Sequence, residues 1–184
     1  EFNNDIYNNL QVFANPVEVN PPRKGNEGVI YFGPGITNAG AINLSDNQTL
    51  YIAGGAVVRG SITVNNARNV KILGRGILDN SKHNPTDKTR MIRISNSSDV
   101  TIDGIFIVDS QQWTIVPTGS DHIMINNIKI LNDVIYSDGI DVVSCQDVVI
   151  NDVFIRNGDD CISVKARGTE PNRNISITNS IFWS

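Results

Sequence analysis

A short pattern of alternating apolar and polar residues recurs along the chain from residue 68 onward. In each copy a polar pair precedes two apolar residues separated by a single residue, and a second alternating run follows. The first apolar residues of the five copies are Val70, Val100, Ile123, Val148 and Ile175. They are spaced 30, 23, 25 and 27 residues apart, so the period drifts while the pattern is kept. Fixed strands joined by loops of varying length are typical of a solenoid.

A third short strand is predicted to close each turn of this solenoid. These strands are Met91–Ile94, Thr114–Val116, Ile140–Val143 and Cys161–Val164. The alternation has a period of two, β-branched residues dominate, and no stretch shows a helical period. Three short strands in a turn of about 25 residues predict an all-β fold, the parallel β-helix. The handedness of parallel crossovers favours the right-handed form.

The first forty residues are organised differently from the rest. Proline and glycine interrupt them at Asn15-Pro16, Pro21-Pro22 and Gly33-Pro34-Gly35. We interpret residues 1–40 as an N-terminal cap, or as the end of a preceding domain plus a linker, and residues 41–184 as the β-helix. A coil that stopped at Ser184 would leave an unpaired apolar edge. We therefore expect further turns to follow, and this stretch alone to be aggregation-prone or inactive.

Composition and charge exclude several classes of function. The net charge is −4, the isoelectric point is near 5.0 and no basic run is present, which argues against nucleic acid as a partner. No apolar stretch approaches the roughly 20 residues of a membrane span. Neither histidine has other ligands at a usable spacing, so no metal and no cofactor are predicted. Cys145 and Cys161 are predicted to be free, buried, stacked thiols, with a disulfide as the alternative.

Three aspartates stand at the heads of two similar segments of the chain. If Ile140 and Ile162 lie side by side on adjacent turns, Asp138 lies beside Asp160 at a backbone separation of roughly 4.8 Å, and Asp159 flanks them. Carboxylates crowded in this way repel one another, and at least one pKa rises. One group can then act as an acid while another acts as a base at the same pH. The alternative is that all three are ordinary turn residues.

These segments resemble the polygalacturonase-like glycoside hydrolases. Asp138-Gly139 and Asp159-Asp160-Cys161-Ile162 match that family's Asn-Thr-Asp-Gly and Asp-Asp-Cys-Ile elements in identity and spacing. Trp113-Thr114 and Asp121–Asn126 are similar to the preceding turn of the family. Two departures concern the substrate. Tyr136-Ser137 stand where pectin-cleaving members have Asn-Thr, and the family's later Gly-His-Gly and Arg-x-Lys elements would fall beyond Ser184.

The resemblance implies an inverting hydrolase that needs no cofactor. Asp159 would be the general acid, while Asp138 and Asp160 would hold and deprotonate the attacking water. Lys165 and Arg167 stand near the rim of the cleft, where they could meet an acidic sugar. Trp113 is either a platform for a sugar or a packed corner. The implied substrate is a polysaccharide or oligosaccharide, and the intact enzyme is expected to be a monomer that is secreted, extracellular or periplasmic.

Other functions remain open from the sequence. Tyr31–Gly35 and Leu50–Ala56 resemble the dextranase and isopullulanase group, so an α-glucan is the alternative to a pectin-like galacturonan. A non-catalytic carbohydrate-binding or adhesive β-helix would use the same coil. A calcium-dependent pectate lyase shares the architecture but uses a basic residue for proton abstraction, and no such constellation is present. Asp141 is expected to be solvated or structural.

Overall fold

A computed structural model describes residues 10–82, 89–167 and 170–183, which form eighteen β-strands. The strands in chain order are β1 (Val29–Phe32), β2 (Gly35–Leu44), β3 (Thr49–Ile52), β4 (Ala56–Asn65), β5 (Arg68–Gly74), β6 (Ile77–Asp79), β7 (Ile92–Ser95), β8 (Ser98–Asp103), β9 (Phe106–Val108), β10 (Ile115–Thr118), β11 (Asp121–Asn126), β12 (Lys129–Leu131), β13 (Ile140–Val143), β14 (Gln146–Asn151), β15 (Phe154–Arg156), β16 (Ile162–Lys165), β17 (Arg173–Thr178) and β18 (Ile181–Trp183).

Every pairing between these strands is parallel, and together they build a coil with three faces. Face A is a seven-stranded sheet in the order β1-β3-β5-β8-β11-β14-β17. The other sheet bends along its length into two faces. Face B contains β6, β9, β12, β15 and β18, and face C contains β7, β10, β13 and β16, while the long strands β2 and β4 run through both. The predicted parallel β-helix is confirmed, whereas its right-handedness stays a prediction. No helix occurs in the described ranges, and so none that could cross a membrane.

The interior of the coil is a set of apolar columns that run along its axis. On face A the five predicted positions lie in one column, because Val70 pairs with Val100, Val100 with Ile123, Ile123 with Val148 and Val148 with Ile175. Four of the five are buried, and Ile175 packs against the core at its edge. Because each column is shared by all turns, no single turn can bury its own apolar side chains.

Removing one interior side chain is expected to weaken the coil markedly. Ile125 is fully buried in β11, while its neighbour Met124 points outward and is 39% exposed. Ile125→Ala should lower the free energy of unfolding by about 2–5 kcal/mol, because a cavity opens between adjacent turns. Met124→Ala, the matched control, should change it by less than about 1 kcal/mol. Denaturant unfolding of both variants measures the difference, and equal losses would contradict the assigned register.

The corners between faces A and B, and between faces C and A, are short. Most contain two residues, and the first of them often has a left-handed backbone, as in Asn96, Asn127, Ser144 and Asp152, whose φ values lie between 48° and 53°. Asparagine and aspartate tolerate this conformation better than other residues that carry a side chain. Asn66, Asn96, Asn127 and Asn179 all occupy such a corner position.

The corner between faces B and C differs from the other two. In the first turns it is a bend within β2 and β4 at Gly40 and Gly60, where a Cβ on Gly60 would lie 2.1 Å from the carbonyl oxygen of Gly40. In the later turns longer connections replace the bend, joining β6 to β7, β9 to β10, β12 to β13 and β15 to β16. Chemistry can therefore concentrate at this corner, since loops carry functional side chains on a rigid scaffold.

The segment before β1 lies against the outside of face B. The Phe13 ring meets the rings of Phe106 and Phe154 edge-on, at centroid distances of 5.6 and 5.1 Å. Lys129 Nζ donates a hydrogen bond of 2.7 Å to Asn15 Oδ1. The predicted boundary at residue 40 falls inside β2, which already belongs to the coil. A capping role for residues 1–40 stays a prediction. At the other end of the stack, Ile181 is 63% exposed.

Candidate active site

Four positions of interest form one column at the corner between faces B and C. Ile92 pairs with Ile115, Ile115 with Ile140, and Ile140 with Ile162. Two residues before each of these strands lie, in the same order, Arg90, Trp113, Asp138 and Asp160. Backbone hydrogen bonds keep this register outside the strands, since Thr114 N donates to Asp138 O and Gly139 N donates to Asp160 O. The predicted adjacency of Asp138 and Asp160 is therefore present.

Gly139 allows the two aspartate-bearing turns to approach closely. A Cβ at this position would lie 2.4 Å from the carbonyl oxygen of Cys161 and 2.8 Å from Cγ2 of Ile155. Any larger residue would push the neighbouring turn away and separate Asp138 from Asp160. Asp138 is thus followed by glycine because only glycine leaves room for the neighbouring turn at this position.

Asp159 and Asp160 extend from the loop between β15 and β16. The two carboxylate oxygens of Asp159 accept hydrogen bonds from the backbone N–H of Tyr136, at 3.0 Å, and of Asp160, at 2.9 Å. These bonds fix Asp159 against the loop that carries Asp138. Asp160 is exposed, and its carboxylate accepts a hydrogen bond of 2.8 Å from Ser163 Oγ. All three predicted catalytic aspartates therefore belong to one local cluster.

Asp138 is buried and paired with a lysine. Lys165 Nζ lies 2.9 Å from Asp138 Oδ2 and also bonds the carboxylate of Asp141. Asp138 is 4% exposed and Asp141 is completely buried, so the expectation that Asp141 could be solvated is wrong. Asp141 is the second residue of β13, and the side chain of Lys165, in β16, contacts its carboxylate. The sequence named these residues separately but did not predict that they meet.

Burial acts against the ionised forms of both Asp141 and Lys165, while the ion pair between them favours those forms. Burial raises the pKa of Asp141 to about 6; the Lys165 hydrogen bond opposes this shift, and nearby Asp138 adds to it. Burial alone would lower the pKa of Lys165, but hydrogen bonds to Asp141 and Asp138 outweigh it and raise that pKa. One carboxylate oxygen of Asp141 has no hydrogen-bond partner among the described atoms. Lys165 thus holds two carboxylates that would otherwise repel each other.

Three cationic side chains lie close to the indole ring of Trp113, beside the carboxylates of Asp138 and Asp141. The distances to its ring centroid are 3.8 Å from Lys165 Nζ, 4.7 Å from Arg90 Cζ and 5.7 Å from Arg167 Cζ. Positive charge is attracted to the face of an indole ring. The three residues predicted to bind substrate, Trp113, Lys165 and Arg167, are therefore brought together. Trp113 positions cations here, so a stacked sugar would have to share its ring with them.

Arg90 is the member of this cluster that the sequence analysis missed. A signal was present, because Arg90 stands immediately before Met91–Ile94, at the position that Trp113 and Asp138 take in the next two turns. The pKa of Arg90 is lowered by burial first and by repulsion from Arg167 second. A half-buried arginine beside other cations is suited to binding an anion, because the anion would offset their mutual repulsion.

Tyr136 has a strained backbone beside the proposed acid. Its φ is 72°, in the left-handed region that a bulky side chain rarely adopts, and its side chain is 65% exposed. The family pattern has asparagine here, a residue that tolerates this conformation. We expect Tyr136→Asn to raise the free energy of unfolding by about 1 kcal/mol, because strain is relieved and little packing is lost.

Denaturant unfolding tests this expectation about Tyr136. Ile135→Asn is the matched control, since Ile135 is 67% exposed but does not have a positive φ. It should change the stability by no more than about 0.5 kcal/mol. If Tyr136→Asn destabilised the protein, the side chain of Tyr136 would have to contribute more than its exposure indicates.

Both cysteines are free thiols. Cys145 is buried in a corner between faces C and A, and Cys161 is partly exposed and donates a hydrogen bond to Asn157 Oδ1 at 3.3 Å. The prediction that they are stacked is wrong, because they occupy different corners of the coil. Within the described ranges, no group of three or more His, Cys, Asp or Glu residues is arranged to hold a metal ion.

A parallel β-helix with an acidic cluster beside grouped cations suits the class of proteins that act on carbohydrates. The chain belongs to the glycosyl hydrolases family 28, which it matches over residues 59–184. It is 36% identical over 78 residues to a protein of Vitis vinifera described as "Probable polygalacturonase". It is 27% identical over 127 residues to a second protein so described, from Arabidopsis thaliana. These matches cover 41% and 65% of this chain, but only 16% and 28% of the two relatives.

Two solved structures share the fold. The polygalacturonase of Erwinia carotovora superposes with a TM-score of 0.72 and 20% identity, covering 79% of this chain and 52% of that one. The family 28 exopolygalacturonase of Yersinia enterocolitica gives a TM-score of 0.70 and 16% identity, covering 80% and 42%. At such low identity the likeness concerns the coil alone.

Proposed function

We propose that the protein hydrolyses glycosidic bonds in a pectin-like polysaccharide whose sugars carry carboxylates, that is, a galacturonan. The observation that carries this proposal is the cluster of Lys165, Arg90 and Arg167 around Trp113, next to Asp138. Lys165 is already paired with Asp138 and Asp141, but a uronate carboxylate would supply a counter-charge for Arg90 and Arg167, which a neutral glucan lacks. We propose further that the enzyme acts outside the cytoplasm, where such polymers occur.

The proposed reaction uses the three aspartates in different roles. Asp159 protonates the glycosidic oxygen of the leaving sugar, while Asp138 and Asp160 hold a water molecule and remove its proton as it attacks the anomeric carbon. The glycosidic bond breaks, the new bond forms to the water oxygen, and the configuration at that carbon inverts. Lys165 supports this step indirectly, because its ammonium group donates a hydrogen bond to Asp138 and fixes the position of that carboxylate.

A substrate panel tests the proposed activity in the intact enzyme. De-esterified galacturonan, dextran and pullulan are supplied separately, and the reducing ends released are counted. We expect hydrolysis of galacturonan only. Cleavage of dextran or pullulan instead would favour the α-glucan alternative, and binding without any cleavage would favour a non-catalytic carbohydrate-binding coil.

The stereochemistry of the first product tests the mechanism separately. Proton NMR within the first minutes of the reaction reads the anomeric configuration of the new reducing end before it equilibrates. We expect the configuration opposite to that of the cleaved bond, as a single displacement by water requires. A retained configuration would show that one aspartate forms a covalent intermediate, and the roles assigned above would be wrong.

A further inference from the structure

A polar groove opens on face C, and none of the three aspartates lines it. Its volume is about 550 Å³, and it is lined by Ser61, Thr63, Thr89, Arg90, Arg93 and Gln112. Arg90 belongs both to this groove and to the cation cluster around Trp113, so the groove continues the candidate active site along the coil.

The strand register fixes how far this groove lies from the cleavage site. Arg93 pairs with Val116 in the next turn, and the pairing of Ile115 with Ile140 places Val116 beside Asp141 in the turn after that. Arg93 is therefore two turns from Asp141, and Arg90 is two turns from Asp138. Two steps between neighbouring strands span roughly 10 Å. A polymer that is cleaved at Asp138 and lies along the coil axis would pass over both arginines.

The two arginines have positive charge that the protein itself does not neutralise. Neither takes part in an ion pair with any carboxylate in the described part of the chain. Arg93 is exposed, while Arg90 is half-buried against the indole. Burial lowers the pKa of Arg90 most and repulsion from Arg167 lowers it further, while attraction to Asp141 opposes both and repulsion from Arg93 is the smallest effect. An anion bound between the two guanidinium groups would relieve this repulsion.

We propose that Arg90 and Arg93 form a subsite for the carboxylate of a uronate sugar, two turns from the scissile bond. The proposal rests on the proposed function, and it adds which residues select the acidic sugar at a distance from the cleaved bond. Guanidinium groups bind carboxylates through two parallel hydrogen bonds, which gives direction as well as charge. Trp113 holds Arg90 in place, and Gln112 and Thr89 offer neutral hydrogen-bonding groups for the hydroxyls of the same sugar.

Binding measurements test this subsite without requiring turnover. Arg93→Gln is made in the intact enzyme together with Asp159→Asn, which blocks hydrolysis, and calorimetry gives the Kd of de-esterified and methyl-esterified galacturonate hexasaccharides. Arg93→Gln should raise the Kd of the de-esterified ligand about 10-fold to 100-fold, the usual effect of losing a hydrogen bond between charged groups. The Kd of the methyl ester should stay unchanged. Arg93→Lys keeps the charge but loses the two parallel hydrogen bonds of the guanidinium group. Its Kd for the de-esterified ligand should lie between those of the wild type and Arg93→Gln.

Arg68→Gln is the matched control, since Arg68 is exposed on face A and should affect neither ligand. An unchanged Kd in Arg93→Gln, or equal weakening for both ligands, would overturn the subsite. It would do so even if the wild-type enzyme cleaved galacturonan, in which case the proposed function would stand. Absence of binding of the de-esterified ligand in the Asp159→Asn background would also overturn the subsite. Arg93-dependent binding to an enzyme that cleaves no galacturonan would support the subsite and refute the proposed function.

Discussion

Replacement of Asp159 by asparagine is expected to slow hydrolysis of ordinary glycosides by on the order of 10²–10⁴ in the intact enzyme. The amide can still accept a hydrogen bond from the backbone N–H of Tyr136, so the loop is retained while the transferable proton is lost. Substrates with a good leaving group need little protonation and should be partly spared. The ratio of the two losses is therefore the readout, and it separates a proton donor from a structural aspartate.

Asp138→Asn should impair both kinds of substrate, because it weakens the attacking water rather than the leaving group. Asp99→Asn is the matched control, since Asp99 is exposed on face A and its positive φ of 56° suits asparagine equally well. It should retain full activity. Undiminished activity in both Asp138→Asn and Asp159→Asn would show that these aspartates are only turn residues, as the alternative reading of the sequence proposed.

The second large effect is expected from Lys165→Met. Without the ammonium group, Asp138 loses the partner 2.9 Å away that fixes its position, and activity should fall by on the order of 10². Asp141, fully buried, loses the hydrogen bond that opposes the effect of burial, so its pKa should rise further above about 6. The acidic limb of the kcat/KM profile should shift to higher pH, because the ammonium group that favours the ionised carboxylates beside it is gone.

Stability should follow pH in a definite direction in this variant. The unfolded chain releases the Asp141 proton near its ordinary pKa of 3.8, whereas the folded variant keeps it to a pKa above about 6. The folded state thus binds more protons in this window, and the free energy of unfolding falls as the pH rises. At pH 7 the free energy of unfolding of Lys165→Met should be about 1–3 kcal/mol lower than that of the wild type. The difference should be smaller at pH 5, where Asp141 is already largely protonated in the wild type.

Lys71→Met provides the control for these measurements. Lys71 is exposed on face A and forms no ion pair with any described residue. Its replacement should leave the pH profile unchanged and the stability within about 0.5 kcal/mol. If Lys165→Met matched Lys71→Met in both respects, the ion pairs to Asp138 and Asp141 would be of no consequence to the enzyme.

The fold could be predicted because its rules are local and repeated. Alternation with a period of two fixes which side chains point inward, and the recurrence of the pattern fixes which turns stack. The column from Val70 to Ile175 and the adjacency of Asp138 and Asp160 follow from these two facts alone. Each additional turn repeats the same pattern, so several turns constrain the register independently.

Contacts between long side chains of different turns could not be predicted in the same way. Lys165 reaches Asp138 and Asp141 across a turn, and Arg90 reaches Trp113 across another. These contacts depend on rotamers and on burial, which the alternation pattern does not contain. The alternation pattern places Asp141 on an outward-facing position, yet it is fully buried, with Lys165 bonded to its carboxylate.

The glycine bend in β2 and β4 has a consequence for how such enzymes diversify. A turn can pass from face B to face C with no loop at all, so the coil itself does not require the longer connections of the later turns. Closing a flexible loop of twice the length costs only about 0.6 kcal/mol more. Insertions and deletions at this corner therefore alter the walls around Asp138 and Arg93 with little effect on folding. Natural variants should differ in length at this corner first, and a new specificity could arise there without a change to any strand.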